Sequence, residues 1–263
     1  MGGFRVPLLD DAAPWQMRFG ERAALTGLLA ELRPSLAIEI GTAEGGSLRR
    51  LSAAAGEIHS FDLVEPQPDI QALENVTLHT GDSHALLPEL LGKLAEAGRN
   101  VDFVLVDGDH TAEGVARDMN DLIGSPALGR TVILAHDSMN EEVRSGLEAV
   151  DYDAWPAVRY VELDWVAGYV LSEPRFGSQL WGGLAAVVVD AGATRAPGSS
   201  VHAPGLTSIH EVVAAGRVAA TDQAALRADL ETCRTALDDV MGSASWRVTA
   251  PLRAAKARVS RRA

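Results

Sequence analysis

The chain has 263 residues, 47% of them apolar, with 36 acids against 23 Lys plus Arg and a single cysteine. That length buries a core without staples, and the lone Cys233 excludes a disulfide scaffold or a cysteine-based zinc cluster. Residues 242–263 carry six bases and no acid, so the rest holds 17 bases against 36 acids, a balance of −19 that argues against nucleic acid as a partner of the main body.

The opening MGGFRVPLLDDAAP shows no basic region followed by an apolar run, so no signal peptide is expected. No stretch of about 18 uncharged apolar residues occurs, so no spanning helix is expected. The expected location is the cytoplasm.

Ala12 to Leu32 reads as a helix, with Leu25, Leu28, Leu29 and Leu32 at helical spacing, stopped by Pro34. Leu36 to Ile40 is a short apolar strand. Gly41 to Gly46 is a glycine-rich turn and Ser47 to Ala55 a helix. Strands follow at Glu57 to Asp62 and Val76 to Thr80, a helix at His84 to Ala97, and an apolar strand at Val101 to Val106. A helix at Thr111 to Ile123, a strand at Thr131 to Ala135 and a helix at Asn140 to Val150 come next. Val158 to Leu163 and Leu184 to Val189 read as two further strands. Apolar strands separated by helices predict an α/β fold, a parallel sheet covered on both faces.

Beyond Asp190 the composition changes. Asp190 to Gly205 is rich in Ala, Gly, Pro and Ser and reads as a connection. The predicted organisation is a domain at 1–190, a linker at 191–219, a helix at 220–241 and a basic tail at 242–263. In the helix, Leu226, Leu230, Cys233, Leu237 and Val240 are spaced 4, 3, 4, 3, a coiled-coil seam too short to stand alone. It should pack on its own domain or on a second copy in a homodimer.

The first strand ends in Glu39-Ile-Gly41-Thr-Ala-Glu-Gly45-Gly46-Ser47. In an open parallel sheet the ligand crevice lies beside such a turn, at the carboxyl ends of the strands. Asp62 closes the second strand, where a carboxylate can bind a ribose diol. Asp82 follows the third strand and can meet a base edge or cap the next helix, with Ser83 competing for the cap. The residue two after Gly41 is Ala43, which breaks the G-x-G-x-x-G fingerprint of NAD sites. Glu39, just before the turn, suits the cationic end of S-adenosylmethionine and would repel a pyrophosphate.

Residues 35 to 189 resemble the class I S-adenosylmethionine-dependent methyltransferases. The residues that carry the resemblance are the Glu39 to Ser47 turn, Asp62, Gly81-Asp82, Val106-Asp-Gly-Asp-His110 and His136-Asp-Ser138. The branch resembled is that of small O-methyltransferases acting on catechols and sugars. It implies a Rossmann-like seven-stranded, mostly parallel sheet with its last strand antiparallel, plus the C-terminal helical extension. On this reading Glu39, Gly41, Thr42, Gly45, Ser47, Asp62, Asp82 and Asp107 bind the donor, and His110, Asp109 and His136 form the catalytic group. By resemblance to metal-dependent relatives, Asp107 and Asp137 are the candidate ligands of Mg²⁺. The catechol-type pattern has Asp-Asn after the fifth strand, and here the pair is His136-Asp137 or Asp137-Ser138.

The unperturbed pKa of a histidine is near neutrality, so His110 is expected to be able to accept a hydroxyl proton. His110 as a helix cap and His136 as a core histidine are the structural alternatives. Asp118 and Asp121 read as a solvated helix face, and His59, His79 and His84 as structural. Trp155, Tyr160, Trp165, Tyr169, Phe176 and Trp181 crowd the expected acceptor end, with Glu141, Glu142, Glu162 and Asp164 as hydroxyl acceptors. That mixture suits a sugar more than a catechol. Ser243-Ala-Ser-Trp246-Arg-Val-Thr-Ala-Pro-Leu-Arg253 resembles a short motif of bacterial enzymes that build surface polysaccharides. Its apolar residues among bases could rest on an anionic membrane face. The expected activity is methyl transfer from S-adenosylmethionine to a sugar or glycan hydroxyl. The rivals are an NAD-linked oxidoreductase and a non-catalytic scaffold on the same fold.

Overall fold

The computed structural model describes residues 15–171, 179–193, 195–196, 199–202 and 208–243, without the side chains of 217–222. Phe176 and nearly all of the basic tail, including Trp246, lie outside the described residues. The chain divides into two compact units, residues 1–209 and 210–263.

The first unit is built on a seven-stranded sheet in the order β3-β2-β1-β4-β5-β9-β6. Its strands are β1 (Leu36–Ile40), β2 (Glu57–Asp62), β3 (Val76–Thr80), β4 (Phe103–Val106), β5 (Arg130–His136), β6 (Val158–Val166) and β9 (Leu184–Asp190). β1 pairs in parallel with β2 and β4, β2 with β3, and β4 with β5. β9 enters antiparallel between β5 and β6. A separate two-stranded ribbon joins β7 (Tyr169–Val170) to β8 (Leu180–Trp181).

The helices are α1 (Phe19–Leu32), α2 (Gly46–Ala54), α3 (Pro68–Gln71), α4 (Ser83–Glu96), α5 (Ala112–Ile123) and α6 (Glu141–Glu148), with a 3₁₀ turn at Tyr152–Ala154. Side chains cap the start of three of these helices. Asp82 caps α4, Thr111 caps α5 and Asn140 caps α6.

Strand alternation divides the core into two layers. Ile38 and Ile40 face a layer with Leu87 and Leu91 of α4 and Val115 and Met119 of α5. Ala37 faces the other, with Leu25 and Leu29 of α1 and Leu48 and Leu51 of α2. The chain leaves β1 toward β2 on one side and returns to β4 on the other. The strand order therefore reverses at β1, which opens a crevice above the carboxyl ends of β1 and β4.

Three elements differ from those the sequence predicts. The first helix begins at Phe19, not Ala12, and Trp15 to Arg18 are non-helical, with Trp15 and Met17 buried. Arg18 N–H donates to the Glu21 carboxylate, which fixes the helix start there. The ribbon β7–β8 went unread because two-residue strands leave no periodicity. The helix expected at 220–241 is α7 (Ile209–Gly242), so the end of the expected linker, from residue 209, is helical. Among the described residues no helix is long and apolar enough to cross a membrane.

Candidate active site

The reversal at β1 holds a cavity of about 800 Å³, within the range of small-molecule sites. Gly41, Asp62, Asp82, Asp107, Asp109 and His110 all line it, as do His136 and Asp137. The loops after β1, β2, β3, β4 and β5 thus converge on one space, as the parallel pairing dictates.

The turn after β1 is held from below. Asp62 Oδ2 accepts hydrogen bonds from Thr42 N at 3.0 Å and Ala43 N at 2.8 Å, and Oδ1 accepts from Val64 N at 2.9 Å. Gly41 has φ +95°, and a Cβ there would lie 2.1 Å from the carbonyl oxygen of Asp107. The glycine is therefore needed for packing within the chain, between the loops after β1 and β4. Gly45, at φ +75°, would press a Cβ into Ile70. These two glycines build the turn and do not by themselves show a ligand.

Glu39 departs from its expected role. It is fully buried, on the face of β1 below α2. Ser47 Oγ donates to its Oε1 at 2.6 Å and Ser60 Oγ to its Oε2 at 2.7 Å, and Thr42 Oγ1 lies 2.7 Å from Ser60 Oγ. Burial pushes the Glu39 carboxyl up to about 8, so it stays neutral at pH 7. Glu39, Thr42, Gly45 and Ser47 do not line the cavity; they brace the turn that does.

The acid–histidine cluster forms two linked pairs. His110 Nε2 lies 2.9 Å from Asp137 Oδ2, and His136 Nδ1 lies 2.9 Å from Asp107 Oδ1. His136 Nε2 lies 3.3 Å from Oε1 of Glu21, which comes from α1 and is itself buried. The same Glu21 oxygen accepts Gly183 N–H, and Gly182 N–H donates to Asp137 Oδ1 at 2.6 Å. Asp137 has φ +54°, a conformation that Asp tolerates better than most residues.

Charge follows from these contacts. Burial opposes a charge on His136, yet Asp107, Glu21 and Asp137 raise its pKa well above the usual imidazole value. The carboxylates thus favour the imidazolium form of buried His136, and both of its nitrogens face carboxylates instead of a substrate proton. The Asp137 hydrogen bond raises His110 against the opposing effect of burial. Burial alone would raise Asp137, but His110, His136 and Gly182 N–H bring it below the usual carboxylate range.

Asp107, His136 and Asp137 each offer one ligand atom within 4.8 Å of the others. The set does not fit magnesium, which favours oxygen donors at near-ideal octahedral geometry. One of the three donors is an imidazole, and it already contacts both carboxylates. Asp107 Oδ1 and both Asp137 oxygens already have histidine or backbone partners. The residues present thus do not favour the expected Mg²⁺ ligation by Asp107 and Asp137, and no step below runs through a metal.

Other expected residues land elsewhere. Asp118 is buried, not solvated, with Oδ1 3.4 Å from His84 Nε2, and burial pushes its carboxyl up to about 6. His84 lines the cavity and so belongs to the site wall. Asp109 Oδ1 accepts Thr111 N–H at 2.8 Å, which places it as a turn former beside the cavity. Of the described aromatics between residues 155 and 181, Tyr169 and Trp181 line the cavity, on β7 and β8, with Trp181 5.9 Å from the His110 ring. Trp155 and Trp165 pack against the core and Tyr160 bonds Glu162. Asp164 pairs with buried Arg144 at 3.1 Å. Gln16 and Leu63 also line the cavity and Glu21 supports it; no motif marks any of the three.

The seven-stranded sheet, mostly parallel with β9 antiparallel between β5 and β6, has the Rossmann-like form that the sequence resemblance implies, with its cavity at the strand reversal. Residues 38–138 match a family model described as a methyltransferase domain. No curated protein matches the chain. Among solved structures, the chain is similar to an O-methyltransferase from Bacillus cereus in complex with SAH, at 16% identity and TM-score 0.47, covering 68% of this chain and 84% of that one. It is also similar to the O-methyltransferase TomG from Streptomyces achromogenes, involved in tomaymycin synthesis and solved with SAM (16%, TM-score 0.45, covering 64% and 78%). A third is the MycE methyltransferase of the mycinamycin pathway, solved with Mg, SAH and mycinamycin VI (16%, TM-score 0.46, covering 68% and 51%).

Proposed function

We propose that the chain is an S-adenosylmethionine-dependent O-methyltransferase whose acceptor is a sugar or glycan hydroxyl. One observation carries this reading: His110, seated on Asp137, opens onto the same cavity as the Gly41 turn, Asp62 and Asp82. The methyltransferase-domain match over residues 38–138 supports it.

The residues present fit the donor. Asp62 Oδ1 accepts only Val64 N–H and keeps acceptor capacity for a ribose hydroxyl, while Oδ2 is taken up by Thr42 and Ala43 N–H. Asp82 stands at the cavity wall as both helix cap and candidate partner of a base edge. Leu63, 74% exposed beside Asp62, offers an apolar surface to a flat ring. When bound, the donor would supply an electrophilic methyl carbon on a sulfonium, open to attack by an oxygen lone pair, with the thioether as leaving group.

The chain supplies the base and the positioning. Asp137 accepts from His110 Nε2–H, so the lone pair of the neutral ring is on Nδ1. That nitrogen takes the acceptor proton as the carbon–oxygen bond forms, and the imidazolium returns it to water. Tyr169 and Trp181 supply faces on which sugar C–H surfaces stack, next to that base. Asp107 and Asp137 are held fixed by buried His136, so the site is arranged before the reactants arrive.

Differential scanning with S-adenosylmethionine, S-adenosylhomocysteine and NAD tests the donor. A rise in Tm with the first two only is expected. Incubation with labelled donor and sugar fractions, read by mass spectrometry, tests the acceptor. A Tm that moves only with NAD would overturn the class, and label appearing only on nitrogen or on aryl hydroxyls would overturn the acceptor.

A further inference from the structure

The described part of residues 210–263 is dominated by α7, a helix of 34 residues and about 50 Å. One of its faces is apolar and open to solvent. Leu226 is 63% exposed, Leu230 69%, Leu237 55% and Val240 52%, and Cys233 is exposed too. An exposed helix with so regular an apolar stripe needs a partner to bury it.

The spacing fixes the register. In heptad terms Leu226, Cys233 and Val240 are d positions and Leu230 and Leu237 are a positions. The flanks then carry opposite charges. Arg227 and Arg234 fall at e, immediately after d residues, and Asp229 falls at g, immediately before Leu230. All three are exposed.

Charge complementarity selects the occupant and its direction. In a parallel, in-register pair, a g residue meets the e residue five positions on in the other helix. Asp229 of each chain then faces Arg234 of the other, twice by symmetry. An antiparallel pair sets g against g and e against e, Asp against Asp and Arg against Arg. A second copy satisfies its own pattern only in the parallel arrangement.

We propose that α7 is a homodimerisation helix, pairing in parallel and in register through Leu226, Leu230, Cys233, Leu237 and Val240. The surface is isologous, each side chain meeting its own counterpart across a two-fold axis. Cys233 then faces Cys233 of the second chain in a d layer. The inference is independent of the reaction proposed above.

The chain carries its own probe, because Cys233 is its only cysteine. The full chain is examined by light scattering and sedimentation at micromolar concentrations, then oxidised mildly and run on a non-reducing gel. The expected result is twice the chain mass in solution and rapid conversion to a covalent dimer, absent in Cys233→Ser. Leu230→Asp with Leu237→Asp should give a monomer with an unchanged melting transition, since both positions are exposed. Asp229→Arg should weaken the dimer about tenfold, and adding Arg234→Asp in the same chain should restore it. A monomer at these concentrations, a trimer or higher assembly, or a dimer that oxidation leaves uncrosslinked would overturn the proposal. So would a charge swap whose reversal restores nothing.

Discussion

Asp137 Oδ2 lies 2.9 Å from His110 Nε2, and that contact decides which ring nitrogen does chemistry. The carboxylate is held below its usual range, so it is ionised at neutral pH and can only accept. The hydrogen is therefore on Nε2 and the reactive lone pair on Nδ1. The same contact raises the histidine, so the base is free to act only above the ordinary imidazole range.

His110→Ala should lower kcat/KM by about 10²- to 10⁴-fold while leaving donor binding intact by calorimetry. Asp137→Asn is the finer test, because Asn also tolerates the φ of +54° at this position. It removes the charge that raises His110. The acid limb of the rate–pH profile should move to lower pH and the maximal rate should fall. A limb that stays in place would show that His110 is not the titrating base.

Glu39 gives a prediction about stability. Its folded pKa of about 8 lies above the ordinary 4.5 of an unfolded glutamate. Between those values the folded chain binds the extra proton, so stability falls as pH rises through the window. Glu39→Gln mimics the neutral acid and keeps partners for Ser47 and Ser60. It should raise stability by about 3 kcal/mol at pH 7 and flatten the dependence between pH 5 and 8. Urea denaturation across that range measures both. Lower stability in the variant at pH 7 would mean that the buried carboxyl is ionised.

Much of this fold is legible because β1, β4, β5 and β9 are short and mostly apolar. Leu36 to Ile40 is buried at every position, a pattern that only a central parallel strand produces. The sheet-edge residues followed from strand order, since Asp62, Asp107 and Asp137 each stand at or just past a strand end. What failed was anything set by packing between distant elements. Asp118 looks solvated beside Arg117 and Asp121, and only the docking of α4 against α5 buries it. Glu21 reads as an ordinary helix acid until α1 lies against the end of β5. Trp155 and Trp165 sit near Trp181 in sequence, yet face the core while Trp181 faces the cavity. Glu39 was read by its charge, and burial removed that charge.

Chelation supplies a third prediction. His136 already stands as the cation between Asp107 and Asp137. Methyl transfer should therefore survive dialysis against EDTA, and added Mg²⁺ should not raise Tm in a concentration-dependent way. Loss of activity on chelation, restored by Mg²⁺, would mean that His136 gives up its proton to a metal and that the charge assignment is wrong.

The last prediction concerns Glu21, whose two oxygens hold three parts of the chain together. One accepts Gly183 N–H and faces His136 at 3.3 Å, and the other accepts Arg18 N–H at the start of α1. Removing one partner of a buried charge pair leaves the other charge uncompensated. Glu21→Ala should cost about 3–5 kcal/mol and Glu21→Gln roughly half of that, since Gln keeps an acceptor for Gly183. The pH dependence separates charge from shape. The raised His136 pKa contributes stability that is complete below pH 6.5 and is lost as pH rises through the folded value. Without the Glu21 charge that folded value falls, so Glu21→Gln should lose stability at a lower pH than the parent chain. Urea midpoints measured from pH 6 to 9 report this directly. Parallel curves for the two proteins would show that Glu21 acts only as a spacer and that the charge of His136 depends on Asp107 and Asp137 alone.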